Sequence, residues 1–354
     1  MTLKVKTTSA AILQTSSQPL ILDEIYLPLE LHTGQILVEV ISSGICGAQI
    51  NEIDAVKGPD NFLPHLLGHE GFATVLEIGP GVTTVNPGDK VVLHWRPGIG
   101  LQSLPPIYKW QGQPLNAGWV TTLNKHAVVS ENRVTKIPLQ IRDKYVIPLL
   151  GCALTTSLGV LENDARIGIR DSLLIFGGGG IGLLLVKLAR LIGVREITVV
   201  DTHEDKLVKA LELGASNAIR FSNKSKTILQ LSDFYGLNLP TVAIDTTGHT
   251  DAIEICYEIS SAKARVILVG VPTKGKKASF YTLPMHFGKI VKGSEGGGSI
   301  PQYDIPVLVD FISRGLITLD DYPTHKFAFT QINDAVMQLR NGLVGRIIID
   351  FENT

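Results

Sequence analysis

Up to about residue 150, apolar and polar positions alternate in short runs; beyond that, apolar residues recur three and four apart or in continuous blocks. Gln35–Val40 and Ala73–Ile78 alternate and are bounded by turn clusters such as Gly79-Pro80-Gly81 and Pro87-Gly88-Asp89, the signature of half-buried strands joined by tight turns. Short strands with glycine-rich turns predict a partly closed antiparallel barrel. From about Ile147 the chain predicts strand Ser172–Phe176, helix Ile181–Ile192, strand Ile197–Val200, helix Asp205–Leu213, strand Val242–Asp245, helix Thr250–Ile259 and strand Val266–Val269. That alternation predicts an α/β, doubly wound parallel sheet. Beyond Gly296 come helices at Pro306–Ser313 and near Asn333–Arg340, then a strand, Arg346–Phe351. Because the last strand follows a loop and not a βα unit, it is assigned to the first domain. The expected division is 1–153 with 297–354 for the β domain and 154–296 for the parallel-sheet domain inserted in it.

The transition from strand to helix near residue 177 carries the first chemistry. Gly177, Gly179 and Gly182 form G-x-G-x-x-G between a buried strand and an amphipathic helix, and Asp201 ends the next strand. The first glycine permits a tight turn, the second lets backbone approach a pyrophosphate, and the third lets helix and strand pack closely. The helix N-terminus offers free N–H groups to phosphate. Placed between strand and helix, with the acid following, the motif predicts a dinucleotide site.

Composition narrows the class. Of 354 residues, 44% are hydrophobic and 18% charged, which suits two globular domains with real cores. A net charge of −1 gives no electrostatic footprint for nucleic acid or an anionic membrane. The longest apolar stretch is broken by Lys187 and Arg190, and the N-terminus carries no signal-type apolar segment. A cytoplasmic protein is expected. Three cysteines argue against a disulfide framework and for reduced thiols or metal ligands.

Cys46 follows a strand, Cys152 precedes the helix leading into the parallel-sheet domain, and His69-Glu70 lies between them. Two thiolates and one imidazole leave a tetrahedral zinc one open position. Their separation in sequence does not by itself group them, since a buried cysteine or histidine is also an ordinary core residue. Cys256, inside a helical pattern, reads as such a core thiol.

The ordered motifs GICG at 44–47, GHEG at 68–71, NPGDKVV at 86–92, GCALTTSLG at 151–159, FGGGGIG at 176–182, VVD at 199–201, LELGA at 211–215, VILVGVP at 266–272 and GRIIIDF at 345–351 resemble the zinc-containing medium-chain alcohol dehydrogenases over nearly the whole chain. The resemblance implies a GroES-like β-barrel catalytic domain with an inserted Rossmann domain. It implies a catalytic zinc on Cys46, His69 and Cys152, with Glu70 as an outer-shell carboxylate. It also implies a cofactor site on Thr156, Gly177, Gly179, Gly180, Ile181, Gly182, Asp201, Lys206, the Val269-Gly270-Val271 turn and Arg346. Asp201 would accept the ribose hydroxyls and repel a 2′-phosphate, favouring NAD over NADP. Trp95, Asn116 and Trp119 match positions near the substrate. The implied activity is hydride transfer between NAD(H) and a small alcohol or carbonyl, with a secondary alcohol, polyol or sugar-derived hydroxyl favoured. Relatives of this kind form homodimers by pairing edge strands near 290–300, or tetramers.

The chain also departs from the family. The stretch after GDKVV that holds four cysteines and a structural zinc in many relatives has no cysteine here, so one zinc per chain and a lobe held by packing are expected. Ala48 stands where a serine or threonine usually starts a proton relay, Asn51 where some relatives place a histidine, and Gly47 where an arginine often follows the first ligand. The lost hydroxyl leaves water, a substrate hydroxyl, His65 or His94 as the proton route. It also keeps two other readings open: a zinc lyase or isomerase with retained NAD, and a binding protein without catalysis.

Overall fold

The computed structural model describes residues 3–138, 143–342 and 344–352. Two compact units emerge, one of Met1–Thr155, Ile300–Arg314 and Thr324–Thr354, the other of Thr156–Ser299 and Gly315–Pro323.

The first unit is built on two sheets. One orders His65–Leu66, Thr7–Leu13, Ile21–Tyr26, Tyr108–Trp110 and Gln113–Leu115; the other orders Val134–Lys136, Lys90–His94, Glu70–Ile78, Gln35–Ile45, Arg346–Asp350 and Thr324–Ala328, with His126–Ser130 also on Gln35–Ile45. Gln35–Ile45 shows why the barrel closes. Its Ile36, Val38 and Val40 face one core while Leu37 faces another, so both faces are buried. The final strand returns antiparallel to it, Ile347 opposite Ile45 and Asp350 opposite Ser42. One pair breaks the antiparallel expectation: Thr324–Ala328 runs parallel to Arg346–Asp350. Helix Ile332–Arg340 lies between those two strands in sequence and supplies the crossover that a parallel pair needs.

The second unit is a parallel sheet ordered Asn217–Arg220, Glu196–Asp201, Ser172–Phe176, Val242–Asp245, Arg265–Leu268 and Ile290–Gly293, the doubly wound order expected of a dinucleotide fold. Ser172–Phe176 is buried at every residue, as a central parallel strand must be. Helix Lys224–Tyr235 is an addition to the sequence reading; the Asn223 side chain caps it, accepting from the Lys226 N–H at 3.0 Å. The stretch 315–323 was expected with the first domain. It packs in the second unit instead, where Asp321 pairs with Lys187 at 2.6 Å and the Tyr322 hydroxyl donates to the Gly180 carbonyl at 3.0 Å. The helix expected at Pro306–Ser313 begins at Pro301, a proline suited to a first turn, and tolerates Pro306 inside. Cys256 is fully buried in helix Thr250–Glu258. Among the described residues no helix is long and apolar enough to cross a membrane.

Candidate metal centre and nucleotide-binding turn

Three backbone transitions converge on one buried spot of the first unit. Cys46 ends strand Gln35–Ile45 and N-caps the short helix Gly47–Ile53. His69 immediately precedes strand Glu70–Ile78, and Cys152 separates the 3-10 turn Ile147–Gly151 from helix Ala153–Gly159. Gly151 must be glycine, because a Cβ there would lie 2.2 Å from the Leu93 carbonyl oxygen. The ligand atoms of Cys46, His69 and Cys152 all lie within 4.8 Å of one another, with Cys46 Sγ 3.4 Å from His69 Nε2. Two sulfurs and one imidazole nitrogen at this spacing, with the cysteines 5% and 9% exposed, fit a tetrahedral zinc with one position open.

The electrostatics suit a cation. Hydrogen bonding from Cys152 pulls the Cys46 thiol well down, helped by the charge of His69, while the same bond and burial push Cys152 well up. One thiolate therefore forms readily and the pair shares the second proton. Burial opposes protonation of His69, but the neighbouring Cys46 sulfur outweighs it and the imidazole is raised. Such a cluster of mutually dependent protons is what a divalent ion displaces.

Around the three donors lies a second ring of residues. Glu70 is 0% exposed and Arg346 4%, and Arg346 Nη2 meets Glu70 Oε2 at 3.3 Å. Burial raises Glu70 although Arg346 pulls it down, and its Oε1 lacks a hydrogen-bond partner. Gln49 is the residue that the sequence reading missed. Fully buried, it accepts the Cys46 N–H through Oε1 at 2.9 Å and sets its Nε2 against His69 Nδ1, fixing the ring that presents Nε2 to the metal position. Its signal was the x-x-Gln spacing of a capping box after Cys46.

The remaining residues of the first unit are more scattered. His94 is no proton carrier: it is 1% exposed, Nδ1 faces the Arg96 carbonyl at 2.8 Å and Nε2 the Thr135 hydroxyl at 2.9 Å, and burial pushes it down to about 4. Trp95 stacks under Arg96, and Trp119, 41% exposed, under Arg133. Asn116 bonds the 62–66 segment, its side chain donating to the Phe62 carbonyl at 2.8 Å. The cysteine-free lobe is held by more than packing. Buried Glu131 accepts the backbone N–H groups of Thr83, Leu101 and Thr84 at 2.7, 2.7 and 2.9 Å. Burial works against its charge, but these donors prevail and lower its pKa. Trp110 Nε1 also donates to Asp23 at 2.8 Å.

In the second unit, Gly182 is required by close approach, since a Cβ there would sit 1.8 Å from the Gly177 carbonyl. A Cβ on Gly179, by contrast, would meet nothing within 4 Å. The chain's own packing does not demand that glycine; it keeps the space ahead of the N–H groups of helix Gly180–Ile192 open, as a pyrophosphate requires. Asp201 Oδ2 accepts the Gly178 N–H at 2.7 Å, its Oδ1 accepts from the His203 N–H at 2.9 Å, and Lys206 lies against Gly178. Thr156 is buried in helix Ala153–Gly159, while Val269 and Gly270 both donate to the Asp245 carbonyl, at 2.8 and 3.0 Å. Ile181 lies in the first turn of the helix.

Known proteins match the chain in both of its units. The family of alcohol dehydrogenase GroES-like domains matches residues 32–139, and that of zinc-binding dehydrogenases matches 180–314. The S-(hydroxymethyl)glutathione dehydrogenase of Escherichia coli O6:H1 is 28% identical over 90% of this chain and 93% of its own. Among solved structures, an alcohol dehydrogenase zinc-binding domain protein from Burkholderia ambifaria superposes with a TM-score of 0.86 at 24% identity, covering 98% of this chain and 99% of its own. Benzyl alcohol dehydrogenase from Acinetobacter calcoaceticus gives 0.86 at 23%, covering 98% and 100%. With the two family matches spanning well over half of its 354 residues, the chain belongs to the zinc-containing medium-chain alcohol dehydrogenases, oxidoreductases that work with zinc and a nicotinamide cofactor.

Proposed function

We propose that this protein interconverts a secondary alcohol, polyol or sugar-derived hydroxyl and its carbonyl, using one zinc ion per chain and NAD. The observation that carries the reading is the Cys46–His69–Cys152 cluster, its cysteines buried and His69 half-buried, with its three donor atoms within 4.8 Å of one another. When bound, zinc supplies Lewis-acid polarisation of the substrate oxygen and NAD the hydride chemistry.

The chain's residues then divide the work. Cys46, His69 and Cys152 hold the metal and leave one position for substrate. Gln49 orients His69, and Glu70 adds a carboxylate whose charge Arg346 offsets at 3.3 Å. On the cofactor side, the N–H groups at Gly179, Gly180, Ile181 and Gly182 receive the pyrophosphate, with Arg346 as its cation. Asp201 and Lys206 take the ribose; the Asp201 carboxylate disfavours a 2′-phosphate, so NAD is preferred to NADP. Thr156 and the Val269–Val271 turn serve the nicotinamide, and Trp95, Asn116 and Trp119 the substrate. On this reading, residues 1–155, 300–314 and 324–354 are the catalytic domain, and 156–299 with 315–323 the NAD domain. Three free cysteines suit a reducing cytoplasm. Ile290–Gly293 is a sheet edge with Ile290 half exposed, which suits strand pairing in a homodimer.

The test is NADH formation against a panel of alcohols, polyols and sugars. Sustained NADH production supports the reading. Turnover without net NADH would point to the lyase or isomerase alternative, and no turnover with bound zinc and NAD to a binding protein.

A further inference from the structure

Arg133 is a buried cation that no described carboxylate answers. It is 4% exposed, its Nη2 donates to Gln102 Oε1 at 3.2 Å, and its Nε and Nη1 have no hydrogen-bond partner among the described residues. Of the five guanidinium N–H groups, the one on Nε and the two on Nη1 therefore go unpaired. The nearest acid in sequence, Glu131, is taken up by the backbone N–H groups of Thr83, Thr84 and Leu101. Burial holds the Arg133 pKa below the usual guanidinium value, and the like charge of Arg96 adds to this. The group stays ionised all the same. An opposite charge brought to a cation kept in this way would be bound strongly.

Gln102 marks the place for that charge. Asn132 Nδ2 donates to the same Gln102 Oε1 at 3.4 Å, so two side chains converge on one oxygen. Both donors are fixed. Asn132 is 5% exposed, with the Ser130 hydroxyl donating to its Oδ1 at 3.0 Å, and the Trp119 ring lies 5.3 Å from the Arg133 guanidinium carbon. The acceptor is of another kind. Gln102 is exposed, its two bonds are long, and it lines an open cleft of about 450 Å³ beside His32, Thr33 and Leu104. A neutral amide thus holds the position through weak bonds and gives up rotamer freedom to do so. A carboxylate or phosphate oxygen would make charge-assisted bonds to the same donors and release the glutamine to solvent. Val134 stands opposite Leu93 and Glu70 opposite His94, so the two donors begin two strands, about 10 Å, from the residue after the ligand His69.

We propose that Asn132 and Arg133 form a binding site for the oxyanion of a small molecule, a carboxylate or a phosphate, which takes the place of Gln102 Oε1. The site goes beyond the alcohol-oxidising reading and does not depend on it. Its anion is either one end of the substrate or part of a separate ligand; the chemistry that recognises it is the same, and the experiment separates the two sources.

The experiment titrates inorganic phosphate and 3-hydroxybutyrate, with 2-butanol as the neutral counterpart, by calorimetry at constant ionic strength. The protein is saturated with NADH, which fills the pyrophosphate turn and prevents turnover. Wild type, Arg133→Met and Gln102→Ala are compared, with zinc content and the unfolding midpoint measured alongside. Both anions should bind wild type saturably, at least about tenfold more tightly than 2-butanol. Arg133→Met should weaken each anion at least about tenfold without lowering the midpoint, because it removes a buried charge that lacks a partner. Gln102→Ala should tighten both about threefold by removing the competing oxygen. A KM for oxidation of 3-hydroxybutyrate below that for 2-butanol, with the difference lost in Arg133→Met, assigns the anion to the substrate. Anion binding with no such difference assigns it to a separate ligand. No saturable binding of either anion to wild type, or equal affinities in all three proteins, overturns the proposal and leaves the redox reading in place.

Discussion

Asp201 Oδ2 accepts the Gly178 N–H at 2.7 Å, which ties the end of strand Glu196–Asp201 to the turn ahead of helix Gly180–Ile192. The carboxylate is thereby held in place with lone pairs to spare. Replacing Asp201 by Gly or Ser removes the charge that opposes a 2′-phosphate, so the NAD:NADP ratio of kcat/KM should fall by at least tenfold. An unchanged ratio would remove Asp201 from the selectivity argument.

The Glu70–Arg346 pair is buried, at 0% and 4% exposure, so breaking it is costly where forming it contributes little. Arg346→Leu should destabilise the protein by about 3 kcal/mol in denaturant unfolding, because Glu70 is left charged without its partner. Glu70→Gln with Arg346→Leu should recover part of that loss. Equal destabilisation in the single and double variants would mean that the contact carries no coupling.

Glu131 does in the cysteine-free lobe what a metal staple would do. Its carboxylate holds three backbone N–H groups from two separate segments, 83–84 and 101. Glu131→Ala orphans all three, and a loss of roughly 3 kcal/mol is expected, with the lobe cleaved first in limited proteolysis. A stability within 0.5 kcal/mol of wild type, an order-of-magnitude bound for a neutral surface change, would return the lobe to packing alone.

His94 gives a pH dependence with a definite sign. Burial lowers it from 6.5 to about 4, so the folded protein resists protonating it while the unfolded chain does not. Its neutral state contributes stability fully above about 6.5, and that contribution is lost as pH falls towards 4, roughly 3 kcal/mol in all. His94→Gln should flatten the fall in unfolding free energy across that window. A slope equal to wild type would mean that other groups govern acid unfolding.

Much of this was legible in the chain because the relevant periods are local. The run Ser172–Phe176, the glycines after it and Asp201 lie within one βαβ unit, so spacing alone placed them. The return of Arg346–Phe351 to the first domain followed from the absence of a βα unit before it, and Ile347 opposite Ile45 bears this out. The metal cluster was different: Cys46, His69 and Cys152 are joined only by three chain reversals, and the family resemblance grouped them where spacing did not. Gln49 escaped because an amide two residues into a helix reads as surface until the fold buries it. Asp321 and Tyr322 were placed in the wrong domain because the contacts that hold them, to Lys187 and Gly180, lie some 140 residues away in sequence. Glu131 looked like one acid among many, since its three partners are backbone groups with no side-chain signature.

The central claim is that Cys46, His69 and Cys152 form the metal centre of this enzyme. Zinc per chain, measured by elemental analysis on freshly purified protein, tests it most directly. The account predicts one equivalent in wild type and less than a tenth of that in Cys46→Ser and Cys152→Ser that still bind NAD. No zinc in wild type, two equivalents, or full retention of zinc in both variants would contradict it.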